Sequence, residues 1–132
     1  MNKIFVNGSF DLLHRGHLEL LNYAKSFDGL VTVAIDSDRR IKELKGNSRP
    51  IVNQRDREYH LLNLRSVDWV AVFDSDEELI DIIKTCSPDI MVKGSDYRDK
   101  PIIGREFCKE IVFYDRTEHS TTKTIQDISN RR

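Results

Sequence analysis

The stretch "VNGSFDLLHRGHLELL", residues 6–21, decides the fold. It begins within an apolar run and ends with apolar residues at helical spacing. It therefore predicts a strand at 3–8 that hands over to a helix at 17–27, which Gly29 ends. The residues expected on the buried face of this helix are Leu18, Leu21 and Ala24. The turn between the two elements carries two histidines and two glycines.

The same alternation of apolar strands and amphipathic helices continues along the chain. Further strands are predicted at 30–35, 68–73, 88–94 and 110–115, and further helices at 53–66, 76–86 and 120–129. Segment 36–51 is expected to be mainly loop, and 95–107 a loop with a short helix at its end. The helical residues expected to face inward are Tyr59, Leu62, either Leu61 or Leu64, Leu79, Ile82 and Ile83. In the last predicted helix, Ile125 and Ile128 show helical spacing. Strands alternating with helices predict one α/β domain over 1–132, a Rossmann-like three-layer sandwich with a five-stranded parallel sheet.

Composition limits the class of protein. The chain has 132 residues, 39% hydrophobic and 33% charged, which is typical of a soluble globular domain. A net charge of −1 argues against broad nucleic-acid binding, which relies on a basic surface. Cys86 and Cys108 form no CxxC pair, so neither a disulfide framework nor a structural metal is expected. We expect a cytoplasmic protein without a leader, a membrane segment or a nucleic-acid partner.

The turn after the first strand has the composition of a phosphate site. Ligands of parallel sheets bind at the carboxyl ends of the strands, where this turn lies. Gly8 allows a sharp turn and a close approach, and Gly16 leaves room against the helix end. Ser9 and the helix amides can donate to phosphate oxygens, as can His14 and His17. Neither GxxxxGK[ST] nor GxGxxG is present, so the pattern predicts a cradle of another kind.

Two other interpretations of the histidine pair remain open. The pair could bind zinc, but Gly16 stands between the histidines, no glutamate occupies the HExxH position and no third ligand is evident. No metal ligands are therefore assigned. Either histidine could instead only cap the helix or lie in solvent. Two histidines around a glycine at a strand-to-helix turn favour the phosphate site over both alternatives.

The motifs at the two ends of the chain carry a resemblance to a known family. "GSFDLLHRGH" (8–17) resembles the G-[TCS]-F-D-x-x-H-x-G-H signature of the HxGH nucleotidyltransferase superfamily, which is cytidylyltransferase-like, and "STT" (120–122) resembles its second signature. "LKGNSRP" (44–50), "VDWVAVF" (67–73) and "PDIMVKGSDY" (88–97) resemble the adenylyltransferase domain of bacterial ADP-heptose synthases. The resemblance implies transfer of AMP from ATP to D-glycero-D-manno-heptose 1-phosphate, giving ADP-heptose and pyrophosphate.

Two alternatives to this activity remain. The "RTE" sequence at 116–118 is more similar to the loop of glycerol-3-phosphate cytidylyltransferases, which implies CTP and glycerol 3-phosphate or a related alcohol phosphate as substrates. A non-catalytic nucleotide-binding domain is the third interpretation, and the intact HxGH motif disfavours it.

The resemblance and the ligand edge of the sheet together assign the site. The expected catalytic residues are His14, His17, Lys45 and Arg116. The expected nucleotide-binding residues are Gly8, Ser9, Phe10, Asp11, Gly16, Lys93, Gly94, Asp96, Ser120, Thr121 and Thr122. Asp38 and Arg55 are expected to bind the acceptor substrate.

The resemblance also implies particular roles and partners. Asp11 is expected to orient a histidine or the substrate, and Lys93 to lie near the base and ribose. Mg²⁺ is expected to arrive with the triphosphate. The partners implied are small-molecule substrates and a second copy of the chain in a homodimer. Trp69 is expected in the core or at the dimer interface.

Overall fold

A computed structural model describes residues 1–115, 125 and 128 of the chain. The strands are β1 (Asn2–Gly8), β2 (Gly29–Asp36), β3 (Trp69–Phe73), β4 (Ile90–Gly94) and β5 (Glu110–Tyr114). The helices are α1 (Arg15–Lys25), α2 (Asp38–Lys45), α3 (Gln54–Leu62) and α4 (Asp76–Cys86). Single 3-10 turns lie at Ser95–Tyr97 and Arg105–Phe107. Ile125 and Ile128 are helical, and the rest of the predicted last helix lies outside the described residues.

The five strands form one parallel sheet in the order β3-β2-β1-β4-β5. In this sheet Val6 of β1 pairs with Val33 of β2, and Phe5 of β1 pairs with Met91 of β4. The strand order reverses between β1 and β4, which leaves a crevice beyond the carboxyl ends of these two strands. The predicted fold class, a Rossmann-like sheet of five parallel strands with helices on both faces, is confirmed.

Each face of the sheet has its own hydrophobic core. Helices α1 and α3 pack on one face, where the buried residues include Ile4, Val6, Leu21, Val31, Val33 and Leu61. Helix α4 packs on the other face, where the buried residues include Phe5, Ala34, Phe73, Leu79, Ile83 and Met91. Burial of these apolar side chains is the main contribution to the stability of such a fold.

The prediction of a loop at 36–51 is wrong for half of this segment, because α2 occupies Asp38–Lys45. Ser37 is its N-cap, and the side chain of Ser37 accepts a hydrogen bond from the amide of Arg40. Ile41 is the single buried residue of the helix. Ile41 and Leu44 are the two apolar positions in eight residues, and so sparse a pattern was not enough to reveal α2.

Three of the predicted inward-facing residues are exposed instead. Leu18 is 38% exposed, Tyr59 68% and Leu62 49%. In α3 the buried residues are Leu61 and Arg57, so the buried face is rotated away from the tyrosine. A buried arginine is rare enough that the apolar pattern gave the wrong face.

Trp69 is not a core residue, because it is 63% exposed. It lies at the start of edge strand β3 and lines a surface groove together with Leu30 and Ile82. Within the described residues, no helix has the length and apolarity that crossing a membrane requires.

Candidate nucleotide site

The turn between β1 and α1 is held in an unusual backbone conformation. Phe10 and Leu12 have positive φ angles of 49° and 39°, which non-glycine residues seldom adopt. Gly8 itself is not in this left-handed region. Its requirement is space, because a Cβ on Gly8 would stand 3.2 Å from the ring of Phe10. The buried ring of Phe10 therefore lies directly against the end of β1.

Both histidines of the motif cap helix α1. His14 is the N-cap residue, and its Nδ1 accepts a hydrogen bond from the amide of Gly16 at 3.0 Å. His17 stands three residues later, and its Nδ1 accepts from the amide of His14 at 3.3 Å. The pair forms a reciprocal capping box built from imidazoles. The capping interpretation considered for the sequence is therefore correct as structure, and it fixes how the rings are presented.

The capping bonds determine which ring nitrogen can act on a ligand. Because each Nδ1 accepts from an amide, a neutral ring carries its proton on Nε2. The rings of His14 and His17 stack with their centroids 3.9 Å apart and an angle of 22° between the planes. The ring of Phe10 packs against His17 at 5.1 Å. Two imidazoles are thus held in fixed orientation, and the N–H donor of each neutral ring is on Nε2.

A cleft of about 440 Å³ opens beyond the carboxyl ends of β1 and β4. Its size falls in the range of small-molecule sites. From the β1 turn and α1 it is lined by Gly8, Ser9, Phe10, His14, Gly16, His17 and Leu20. From the other elements its lining includes Arg40, Ile41, Leu44, Lys45, Lys93, Gly94, Tyr97, Ile102, Ile103 and Tyr114.

Lys93 on β4 forms part of the wall of the cleft. The residue is 8% exposed, and its ammonium donates to Oδ1 of Asn7 at 2.9 Å. The same ammonium lies 4.7 Å from the centroid of the Tyr97 ring, a cation–π contact. Sequence reasoning did not single out Asn7 or Tyr97, because a lone amide and a lone tyrosine carry no spacing signal.

Asp11 supports the turn that carries the two histidines. Its side chain is fully buried and accepts hydrogen bonds from the amides of Ile51 and Val52, each at 2.8 Å. Arg49 adds an ion pair at 3.3 Å. These bonds attach segment 49–52 to the turn that carries the histidines. The structure gives Asp11 the position of an anchor rather than that of a surface ligand group.

The two residues expected to bind the acceptor lie elsewhere. Asp38 accepts from Arg57 at 2.8 Å, and Arg55 is exposed on α3. The cation that sequence reasoning missed is Arg57, which is 1% exposed. Arg57 also donates to the carbonyls of Ser9 (2.8 Å), Asp36 (2.8 Å) and Val52 (2.9 Å). One buried guanidinium therefore connects the ends of β1 and β2 to α3.

Charged residues near the end of β2 pair with one another. Arg40 bridges Asp36 at 3.0 Å and Asp76 at 2.6 Å. Burial opposes the charge of Arg40, but these two carboxylates outweigh it and raise its pKa. Hydrogen bonds from Arg39 and Ser37 lower the pKa of Asp74. This region is therefore a set of ion pairs that holds α2 against β3 and α4.

The family is decided by a comparison with family models. The model described as cytidylyltransferase-like matches residues 5–128. The chain belongs to the cytidylyltransferase-like family. Both the histidine turn described above and residues 116–122 lie within the matched range.

Curated relatives of the chain include proteins that carry the name bifunctional protein HldE. The chain is 46% identical over 126 residues to the protein from Helicobacter pylori (strain HPAG1) and 45% identical over 126 residues to that from Sulfurimonas denitrificans. Both alignments cover 95% of this chain, but 27% and 26% of the relatives. The chain thus spans about a quarter of the length of these relatives.

A solved structure has the same fold. The lipopolysaccharide core biosynthesis protein from Thermoplasma volcanium GSS1 superposes with a TM-score of 0.70 over 89% of this chain and 99% of its own. Its sequence identity of 22% supports the fold alone.

The structure brings part of the expected family site together. The assigned residues that line the cleft are Gly8, Ser9, Phe10, His14, Gly16, His17, Lys45, Lys93 and Gly94. Asp96 is exposed in the 3-10 turn after β4. Arg116, Ser120, Thr121 and Thr122 lie outside the described residues. Among the residues that are described, no three His, Cys, Asp or Glu side chains cluster as a metal site would require.

Proposed function

We propose that this chain is a nucleotidyltransferase that joins AMP from ATP to D-glycero-D-manno-heptose 1-phosphate and releases pyrophosphate. The observation that carries nucleotidyl transfer is the capped pair His14 and His17 on the wall of the cleft at the sheet crevice. The resemblance of segments 44–50, 67–73 and 88–97 to ADP-heptose synthases supports the choice of substrates. The similarity to the HldE proteins agrees with that choice.

The proposed reaction needs positioning and charge stabilisation more than it needs a base. An oxygen of the sugar phosphate attacks the α-phosphorus of ATP, the bond to the β-phosphate oxygen breaks, and pyrophosphate leaves. The attacking oxygen is already anionic, so no proton has to be removed. The Nε2–H groups of His14 and His17 donate to phosphoryl oxygens, where charge accumulates in the transition state. Their Nδ1 bonds to the helix fix the rings beforehand.

Other residues complete the proposed site. Lys45 lines the cleft at the end of α2 and supplies a cation to the phosphates. Gly8, Ser9, Phe10 and Gly16 border the nucleotide, as do Lys93 and Gly94 at the end of β4. Arg116, Ser120, Thr121 and Thr122 are proposed to bind the β- and γ-phosphates. Asp11 acts as a support, through segment 49–52.

Magnesium is proposed to enter with the triphosphate. Such an ion is expected to be bound mainly by phosphate oxygens and water. The ion would neutralise phosphate charge when bound.

A cytidylyltransferase acting on glycerol 3-phosphate is the second candidate, because the "RTE" sequence at 116–118 resembles that of such enzymes. A substrate matrix separates the two functions. ATP or CTP is combined with heptose 1-phosphate or glycerol 3-phosphate, and pyrophosphate release is followed. Turnover with ATP and heptose 1-phosphate is expected. Turnover with CTP alone would overturn the proposed function, and nucleotide binding without any turnover would support a non-catalytic domain.

We also propose a homodimer in the cytoplasm. Trp69 and Leu30 expose 63% and 40% of their surface on neighbouring strands, and β3 is an edge strand of the described sheet. A second copy that covers this groove would bury both side chains. Cys86 and Cys108 are free thiols, as expected in a reducing compartment. Light scattering of the protein and of Trp69→Glu tests the dimer, which the glutamate is expected to dissociate.

A further inference from the structure

A second feature of the cleft, in addition to the two histidines, is the part of its wall formed by Asn7, Lys93 and Tyr97. Phe5 and Met91 pair between β1 and β4, and two residues further along these strands stand Asn7 and Lys93. Their side chains therefore point to the same face of the sheet, the face that α4 covers. Both residues and Tyr97 line the cleft. The positions of Asn7 and Lys93 therefore follow from the strands of the sheet.

The contact between Asn7 and Lys93 determines what Asn7 can present. An ammonium only donates hydrogen bonds, so the atom of Asn7 at 2.9 Å is its amide oxygen. The Nδ2 group that remains can only donate. Lys93 and Asn7 together therefore form a wall of donors, and their mutual bond fixes the lysine in one orientation. The ring face of Tyr97 contacts the same ammonium on a second side.

We propose that Asn7 is a positioning residue that orients the Lys93 ammonium toward phosphate oxygens of a substrate bound in the cleft. The inference rests on the proposed nucleotidyl transfer and deepens it. The phosphate could belong to the nucleotide or to the acceptor, and the two substrates are separate arms of the test. Burial of Lys93 to 8% exposure strengthens any such contact, because the local dielectric is lower than that of water.

The decisive variant is Asn7→Asp, which has nearly the same shape. It keeps an oxygen for Lys93, removes the amide donors and places a negative charge beside the ammonium. We expect unchanged thermal stability, together with a rise in KM for at least one substrate of between about tenfold and a hundredfold, the scale of hydrogen bonds to charged groups. Binding of ATP, CTP, heptose 1-phosphate and glycerol 3-phosphate by calorimetry gives a second readout that needs no turnover. Asn7→Leu removes the oxygen as well and is expected to weaken the same arm.

The matched control is Asn2→Asp at the other end of β1. Asn2 donates to the carbonyl of Phe27 at 2.8 Å, away from the cleft. This control is expected to change stability without changing KM. KM and dissociation constants of Asn7→Asp within twofold of wild type in both arms would overturn the inference, as would a loss of binding that only parallels a loss of folded protein. Which nucleotide and acceptor the wild type uses is decided separately by the substrate matrix, so failure of the proposed function is distinguishable.

Discussion

Two strand-to-helix connections at the same edge of the sheet use polar residues in opposite ways. After β1, His14 and His17 bind the helix backbone through one ring nitrogen and line the cleft. After β2, the charged residues bind one another and the backbone. We call Asp36, Asp38, Arg39, Arg40, Arg57 and Asp74 the frame residues.

This difference indicates how polar groups at the ligand-binding edge of the sheet can be assigned to a structural or a binding role. A polar atom that is hydrogen-bonded to a partner within the fold holds that part of the chain in place. A side chain that has a second donor in addition to that bond can also bind a ligand. The histidines are of the second kind, since Nδ1 caps the helix and the N–H of a neutral ring is on Nε2. Arg57, whose nitrogens bind three carbonyls and one carboxylate, is of the first kind.

The largest expected effect separates the two functions of His17. His17→Asn places an oxygen near the position of Nδ1, which preserves the cap, and removes the Nε2 donor. We expect turnover to fall by about a hundredfold to a thousandfold, the usual loss when one such donor is removed, with a modest change in ATP affinity. Pyrophosphate release and equilibrium ATP binding measure the two quantities.

The control for this variant is His60→Ala on α3, an exposed histidine that is expected to leave turnover at the wild-type level. Near wild-type turnover of His17→Asn would mean that the histidine only caps the helix.

The next largest effect concerns Arg57, one of the frame residues, and is expected in the free energy of unfolding. Arg57→Met leaves the carbonyls of Ser9, Asp36 and Val52 and the carboxylate of Asp38 without their donor. We expect a loss of at least about 3 kcal/mol in the free energy of unfolding, measured by urea denaturation.

Arg55→Met is the matched control, two residues earlier on the same helix and exposed. It is expected to change the free energy of unfolding by less than about 0.5 kcal/mol. A similar small loss for Arg57→Met would contradict the assignment of Arg57 as the connection between β1, β2 and α3.

The same comparison explains which features of the fold and the site could be predicted from the sequence. Apolar runs and the histidine turn predicted the parallel sheet and the position of the cleft, because both depend on local pattern. Helix α2 and the buried side of α3 were missed, because they depend on Ser37 as a cap and on Arg57 as a core residue. Arg55 and Arg57 are the same residue type two positions apart, and only the packing of α3 distinguishes them.

Asp38→Asn tests whether Asp38 belongs to the frame or to the acceptor site. The amide keeps an acceptor for Arg57 but loses the charge of an ion pair at 2.8 Å. We expect a loss of about 1 kcal/mol in stability and unchanged KM values. A tenfold rise in KM for the acceptor without a loss of stability would instead mean that Asp38 binds the acceptor substrate.

The smallest expected effect depends on pH. Because Arg39 and Ser37 lower the pKa of Asp74, its carboxylate stabilises the folded state at neutral pH, and this contribution is lost as the pH falls below about 4. Asp74→Asn should therefore be less stable than wild type at pH 7, and the difference should be smaller at pH 3. Urea midpoints at both pH values measure this, with Asp99→Asn, an exposed position after the Ser95–Tyr97 turn, as control. An equal difference at both pH values would mean that shape, and not charge, makes Asp74 part of the frame, whereas a smaller difference at pH 3 means that the frame depends on the ionised carboxylate.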